Sequence, residues 1–367
     1  MLDKGRFSSI QLVILLLMTE GATAFLFAPA GITKFAGPDG WISASILASA
    51  YGSLVVLVVV ALGNRFPSQA FTEYLPAVLG KIPGKILAAL YAGFFIHLSA
   101  IILNESSTFV HVAFLRETPP TVLDIVTAAA AAYGVYLGIE VIARQSSIVF
   151  PVWALSLLLL LILGIIELNP NNLRPFMENG PLPVLRGAGI STVFRGEAFL
   201  LAMLFPYLNQ KREALKSGFV NLGVVAIIAG TIMAALVGVF GDSFVTIKLF
   251  PFFELARYIS VARIVERLEI VVVIIWVAGV IVKLAVFYHS SCIATANTLG
   301  LKSYRVTIIP IVAATVIISE MVYPTHAQLI PFLFKPLPPY AATGELLVPA
   351  LVLLIAVIRN KRESRQS

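Results

Sequence analysis

Apolar runs of about 18 residues or more, long enough to carry a helix across a ~30 Å hydrocarbon layer, recur along the whole chain. Inside lipid every backbone N–H and C=O must find its partner within the protein, so such runs fold as helices gathered into a bundle. Only 12% of the 367 residues are charged, against about 25% in soluble domains. The chain reads as an all-α integral membrane protein. Its runs lack the residue-by-residue alternation of a barrel strand.

Ten spans are expected, over 8–34, 41–63, 86–114, 122–138, 147–166, 187–209, 215–240, 266–298, 307–323 and 346–358. The first opens on a capping box, Ser8 to Gln11. Ala22-Thr23-Ala24 resembles a signal-peptidase site, but the apolar run continues through Ala30, so the span is read as uncleaved. Proline-bearing connections are expected at 65–85, 169–183 and 324–339. An amphipathic piece over 251–263 is expected at the membrane interface. With ten spans both termini share one side. That side carries 15 of the Lys and Arg and the other 9, which places both termini in the cytoplasm.

The span 187–209 breaks the apolar rule. Arg195, Gly196 and Glu197 lie inside it and Pro206 closes it. A charge at mid-bilayer costs about 2.5–3.5 kcal/mol on insertion scales, and glycine tolerates non-helical backbone. Either the helix breaks there and lines a buried polar site, or an unbroken span buries an Arg–Glu pair. The first span carries a loosely similar interruption, Glu20-Gly21-Ala22-Thr23 and then Pro29. Five spans separate the two, so a second copy would enter the membrane inverted. Paired Gly/Pro interruptions in matching halves point to a midplane site between inverted repeats. Half-helix ends would attract a carboxylate and an ammonium group, and so a small amino acid, with inorganic anions and polyamines as alternatives.

Further polar residues lie within spans. His97, Asn104 and His111 recur every seven residues on one face, with Glu105 beside them; ordinary helix–helix hydrogen bonding is the competing role. Trp276, Lys283, Ser290 and Asn297 recur likewise. Lys283 needs an acidic partner or water: Glu20, Glu105, Glu197 and Glu320 are candidates, and structural pairing and proton coupling both remain open. Asp242 and His289 are expected near membrane surfaces with little functional weight. The single Cys292 excludes an internal disulfide or a multi-Cys metal site. No catalytic or nucleotide-binding motif is present, and the scattered basic residues do not suit nucleic acid. No enzyme, cofactor or metal is expected.

Gln11 with Gly21 and Pro29, the run Gly37-Pro38-Asp39-Gly40-Trp41-Ile42-Ser43, Arg195-Gly196-Glu197 with Phe205-Pro206, and Phe250-Pro251 followed by Glu266-Arg267-Leu268-Glu269 and Trp276 occur in that order. In these the chain resembles the B subunit of bacterial spore germinant receptors, the spore germination permease family within the amino acid–polyamine–organocation superfamily. The resemblance implies a LeuT-like five-plus-five inverted repeat with broken helices one and six. Its parts would be a first repeat over 1–167, a connecting loop over 168–187, a second repeat over 188–358 and a basic tail over 359–367. It further implies a complex with an A subunit and a C-subunit lipoprotein in the spore inner membrane, sensing an amino acid or similar nutrient. Ligand-binding positions would be Gly21, Ala22, Thr23, Gly196, Glu197 and the neighbouring Phe199. Glu20, His97, Glu105, Arg195, Lys283 and Ser290 would form a polar or coupling network. Some proton-coupled members of the superfamily carry a lysine on helix five; 147–166 has none, which favours sensing. A secondary amino-acid transporter using the same site is the alternative, and a membrane scaffold that binds nothing is a third.

Overall fold

The computed structural model describes residues 2–259, 269–322 and 326–363. α1 (Ser9–Ala36) starts from the expected capping box: the Gln11 N–H donates to Ser8 Oγ and the Ser8 N–H to Gln11 Oε1. After a 3-10 turn over Gly37–Asp39 the second span runs through α2 (Gly40–Ile42), a π turn (Ser43–Leu47) and α3 (Ala48–Arg65). Then come α4 (Phe71–Leu79), α5 (Lys81–Ala113), α6 (Pro120–Leu137), α7 (Ile139–Ile166) and α8 (Pro181–Gly196). The 3-10 turn Glu197–Phe199, α9 (Leu200–Leu204) and a second 3-10 turn, Phe205–Tyr207, complete the sixth span. α10 (Ala214–Phe240), α11 (Asp242–Ile247), α12 (Pro251–Tyr258), α13 (Glu269–Leu299), α14 (Ile308–Val322) and α15 (His326–Phe334) follow. α16 (Leu337–Ala342), a π turn (Thr343–Leu347) and α17 (Val348–Ile358) make the last span.

Among the described residues, nine helical runs are long and apolar enough to cross a membrane. The first, Ser9–Arg65, has 57 residues, too many for one crossing at about 20 residues per span. It turns at Gly37, whose φ of +54° glycine adopts without penalty. Ten crossings result. The sixth sits at the centre: 89% of its most apolar stretch is buried, against 28% for the outer span Leu337–Ile358. α1 packs along α8, and α13 packs on both α1 and α5. Apolar side chains such as Tyr133, Ile148, Ile166 and Ile309 face outward.

Several expectations need correction. α1 is continuous: no break occurs at Gly21. A Cβ at Gly21 would come within 2.9 Å of the Phe25 ring and 3.0 Å of Trp153, so the glycine admits two aromatic rings instead of freeing the backbone. The sixth span is interrupted where expected, but mildly. Gly196 keeps right-handed helical angles (φ −66°, ψ −23°), and the helix only tightens into a 3-10 turn, a feature that often marks a hinge. The connection at 65–85 contains α4, whose buried Phe71, Tyr74, Leu75 and Val78 follow helical spacing. Glu73 caps it, accepting from the Ala70 N–H at 2.7 Å. The fifth span begins at Ile139, because Gly138 at φ +102° turns the chain in a single residue. The stretch at 324–339 holds α15 and the start of the last span; prolines near a first helical turn give up only N–H groups that would be unbonded anyway. α12 turns its apolar face onto protein, with Phe253 5.5 Å from the Phe109 ring. The rest of that amphipathic piece, the start of the eighth span at 266 and the motif residues 266–268 lie outside the described residues. So does the end of the tail.

Candidate functional site

Two buried ion pairs flank the 3-10 turn of the sixth span. Arg195 is the last but one residue of α8. Its Nη1 lies 3.6 Å from Glu20 Oε2 on α1, and its Nη2 donates to the carbonyls of Ala44 (3.1 Å) and Val225 (3.3 Å). Asn221 of α10 donates from Nδ2 to Glu20 Oε1 at 2.5 Å. Glu197 opens the turn and takes a different partner. Lys283 of α13 donates from Nζ to Glu197 Oε1 at 2.5 Å and to Thr23 Oγ1 of α1 at 2.8 Å. Residues two apart on a helix point about 200° away from each other, so Arg195 and Glu197 reach opposite neighbours. Of the four candidate acids, Glu197 takes the hydrogen bond from Lys283 and Glu105 lies near it. The rings of Phe194 and Phe287 lie 5.5 and 5.9 Å from the ammonium.

Two more carboxylates join this cluster. Glu105 of α5 lies beside Lys283, Glu197 and the Thr23 hydroxyl. Glu345, in the π turn of the last span, reaches Gly196 with its carboxylate and lies within electrostatic range of Glu197, Lys283 and Glu20. All four acids are buried, as are both cations. Sequence reasoning missed Glu345 because the last span was started one residue after it. An acid following Gly344 inside a 22-residue apolar span was the available signal.

The other expected residues take separate roles. Gly21 and Ala22 let helices approach: a Cβ at Gly279 of α13 would sit 3.1 Å from Ala22 Cβ, the close contact small residues allow between membrane helices. Phe199 belongs to an aromatic group with Phe71, Tyr91 and Phe95, at ring distances of 5.2, 5.5 and 6.1 Å. His97 Nδ1 meets Tyr340 Oη at 3.2 Å, and His111 Nδ1 lies 3.0 Å from the Thr118 carbonyl. Asn104 donates to the Ser319 carbonyl at 3.2 Å, while Ser319 donates to the buried Asp124 at 2.8 Å. Ser290 turns back on its own helix, donating to the Val286 carbonyl at 2.9 Å. A narrow cavity lined by Phe25, Pro29, Ser191, Phe194, Arg195 and Met233 measures about 20 Å³, room for one water. In this conformation the charged cluster is closed.

His289, given little weight from sequence, is buried against Asp3 at 3.1 Å. Asp3 also accepts from the N–H groups of Gly5 (2.8 Å) and Ile139 (3.0 Å) and from Tyr304 Oη (3.3 Å). Burial works to raise the Asp3 pKa, but the hydrogen bond and charge of His289, with the two N–H groups, overcome it and hold the carboxyl well below its usual range. Phe7 pairs with the end of the sixth span, donating to the Tyr207 carbonyl at 3.1 Å and accepting from the Asn209 N–H at 3.0 Å. The N-terminal segment thereby straps α7, α13, the turn at Tyr304 and the sixth span together.

The architecture matches solved transporters. MhsT in complex with L-phenylalanine superposes with a TM-score of 0.66 at 14% identity, covering 96% of this chain and 89% of that one. Mhp1, a nucleobase-cation-symport-1 family transporter, gives 0.71 at 14% identity, covering 99% and 82%. Both have the LeuT fold. By sequence, spore germination protein KB of Bacillus subtilis (strain 168) is 24% identical over 371 residues, covering 99% of this chain and 98% of the relative. Spore germination protein XB of Bacillus anthracis is 24% identical over 355 residues, covering 96% and 99%. The family profile described as spore germination protein matches residues 6–327, and the chain belongs to that family of multi-pass membrane permeases.

Proposed function

We propose that this protein is the nutrient-sensing membrane subunit of a spore germinant receptor and binds a small amino acid at the charged cluster between α1, the sixth span and α13. The observation that carries this reading is the Thr23–Lys283–Glu197 arrangement at the 3-10 turn after Gly196. A buried ion pair is a weak way to stabilise a bundle, but it offers a zwitterion two ready partners. The ligand carboxylate would take Lys283 and its ammonium Glu197, so the ligand replaces the internal pair without leaving a charge unpaired. α1 being continuous, recognition rests on side chains and on the Gly196 turn, with Gly21 and Ala22 setting the helix spacing. Binding would shift the population between closed and open forms, and the shift would pass to A and C subunits in the spore inner membrane, both termini facing the cytoplasm.

Screening the twenty amino acids by thermal shift on the purified protein tests this. A ligand at 100 times its Kd adds about 2.7 kcal/mol of stability. A panel in which no amino acid raises the melting temperature would remove the amino-acid reading. Transport is the second reading, favoured by the fold shared with MhsT. Time-dependent uptake of the stabilising amino acid into proteoliposomes, absent from protein-free vesicles, would establish it.

A further inference from the structure

We propose that Glu345, on the last span, is a ligand-binding residue that receives a primary ammonium group, so that ligands of this protein must carry one. The inference rests on the reading that a small molecule binds at the central cluster, and it names the chemistry that cluster selects.

Charge balance is the first argument. Glu20, Glu105, Glu197 and Glu345 are buried together with only Arg195 and Lys283. Arg195 is engaged by Glu20 and two backbone carbonyls. Lys283 is engaged by Glu197 and Thr23, and among the described residues it is the cation that acts on Glu345. A buried carboxylate without a paired charge is costly and is relieved either by a proton or by a cation; a ligand ammonium at Glu345 would be such a cation.

Placement is the second argument. Glu345 is 2% exposed, and its Oε2 has no hydrogen-bond partner; Glu197 Oε2 and Tyr51 Oη are likewise unpartnered. A Cβ at Gly196 would run into the Glu345 carboxylate and lie 3.3 Å from Tyr51 Cε1. Only a glycine leaves the carboxylate this close to the hinge turn of the sixth span. The π turn that holds Glu345 is itself a feature concentrated at functional sites. Among the described residues no group of three or more His, Cys, Asp or Glu is disposed to hold a metal ion. A primary ammonium suits the site better: it carries three N–H donors and no acceptor, and the two unpartnered carboxylate oxygens and the Tyr51 hydroxyl oxygen can all accept from it.

The test uses the full-length protein in detergent at pH 7. Thermal shift is recorded with the twenty amino acids, with the primary amines obtained by removing their carboxyl groups, with the acids obtained by removing their amino groups, and with potassium chloride against choline chloride. Stabilisation by amino acids or by amines, with none from the deaminated acids, is expected, and the first two arms tell a zwitterion from a simple amine. Glu345→Gln should weaken the active compound at least tenfold, about 1.4 kcal/mol. Should that variant fail to fold, Glu345→Asp and Tyr51→Phe carry the comparison, each weakening binding severalfold. Deaminated acids binding as well as their parents, a response to potassium alone, or unchanged affinity in the Glu345 variants would overturn the inference and leave small-molecule sensing in place. A wild-type protein stabilised by no compound in the panel would overturn both.

Discussion

Replacing Lys283 by methionine removes the cation on which most of the central carboxylates depend. At 2.5 Å from Glu197 the pair attracts by about 7 kcal/mol at an effective dielectric constant of 20. Desolvation offsets part of this, and truncating one member of a buried pair costs about 3–5 kcal/mol. The upper end applies here, because Glu105 and Glu345 also neighbour Lys283 and only Arg195 would face all four acids. Glu197→Gln acts the other way. It removes one of the surplus negative charges and keeps an oxygen to accept from Lys283, so its cost should not exceed about 2 kcal/mol. Thermal unfolding in detergent reads the difference: at about 2 °C per kcal/mol, the low end for large domains, Lys283→Met should melt roughly 10 °C lower and Glu197→Gln no more than about 4 °C lower. The double variant should lose less than the two singles combined, with a coupling of about 0.5–3 kcal/mol. Equal losses for the two singles, or strict additivity, would refute a cluster short of positive charge.

Three further outcomes follow from the geometry. Gly21→Ala forces a Cβ against Phe25 and Trp153, an overpacking of about 1–3 kcal/mol that outweighs the ~1 kcal/mol helical gain; Gly223→Ala, with nothing within 4 Å, should raise stability by up to about 1 kcal/mol, and equal melting shifts would contradict this packing role. Gly196→Ala should fold yet lose ligand affinity at least tenfold, about 1.4 kcal/mol, because its Cβ displaces the Glu345 carboxylate; a binding isotherm like the wild type would count against it. Asp3, held below its ordinary pKa by His289, contributes stability that is fully present above about pH 4 and is lost as pH falls below it; Asp3→Asn should flatten the acid limb of the melting-temperature profile, and an unchanged limb would show that the strap does not depend on this charge.

How much of this was legible in the sequence depends on the kind of force. Burial of apolar surface is written locally, so the ten crossings and the capping box at Ser8 could be read directly. Charges inside lipid must be satisfied, which singled out Glu20, Arg195, Glu197 and Lys283 before their partners were known. Pairing was not legible, because it depends on the rotation and depth of four separate helices; the heptad through Lys283 brought Ser290 to the right face but left it bonded to its own helix. The glycines misled for a related reason. A glycine in a membrane helix marks either a break or a close approach, and only the Trp153 ring on α7 decides for the second at Gly21. α4 was hidden because its nine residues include Pro76 and follow Pro67, a pattern that reads as connection until Phe71, Tyr74, Leu75 and Val78 find a core to bury against.

The continuity of α1 also decides where a conformational change can start. An unwound first helix would supply free carbonyls to a ligand, whereas here the backbone bonds of α1 run past Gly21. Pro29 is the exception: lacking an N–H, it leaves the Phe25 carbonyl without its usual i+4 donor. Phe25 and Pro29 both line the narrow cavity beside Arg195. On the sixth span the tightened turn begins at Glu197, the partner of Lys283. A proline and a 3-10 turn in the central helices thus lie by the two ion pairs, one lining the cavity beside Arg195 and the other beginning at Glu197. A ligand that exchanged partners with Lys283 and Glu197 would act on the 3-10 turn directly, and any change in the Arg195 pairing would reach α1 at Glu20. On the proposed reading, side-chain charges and two local irregularities in the helices would couple binding to helix movement, with no unwound backbone required.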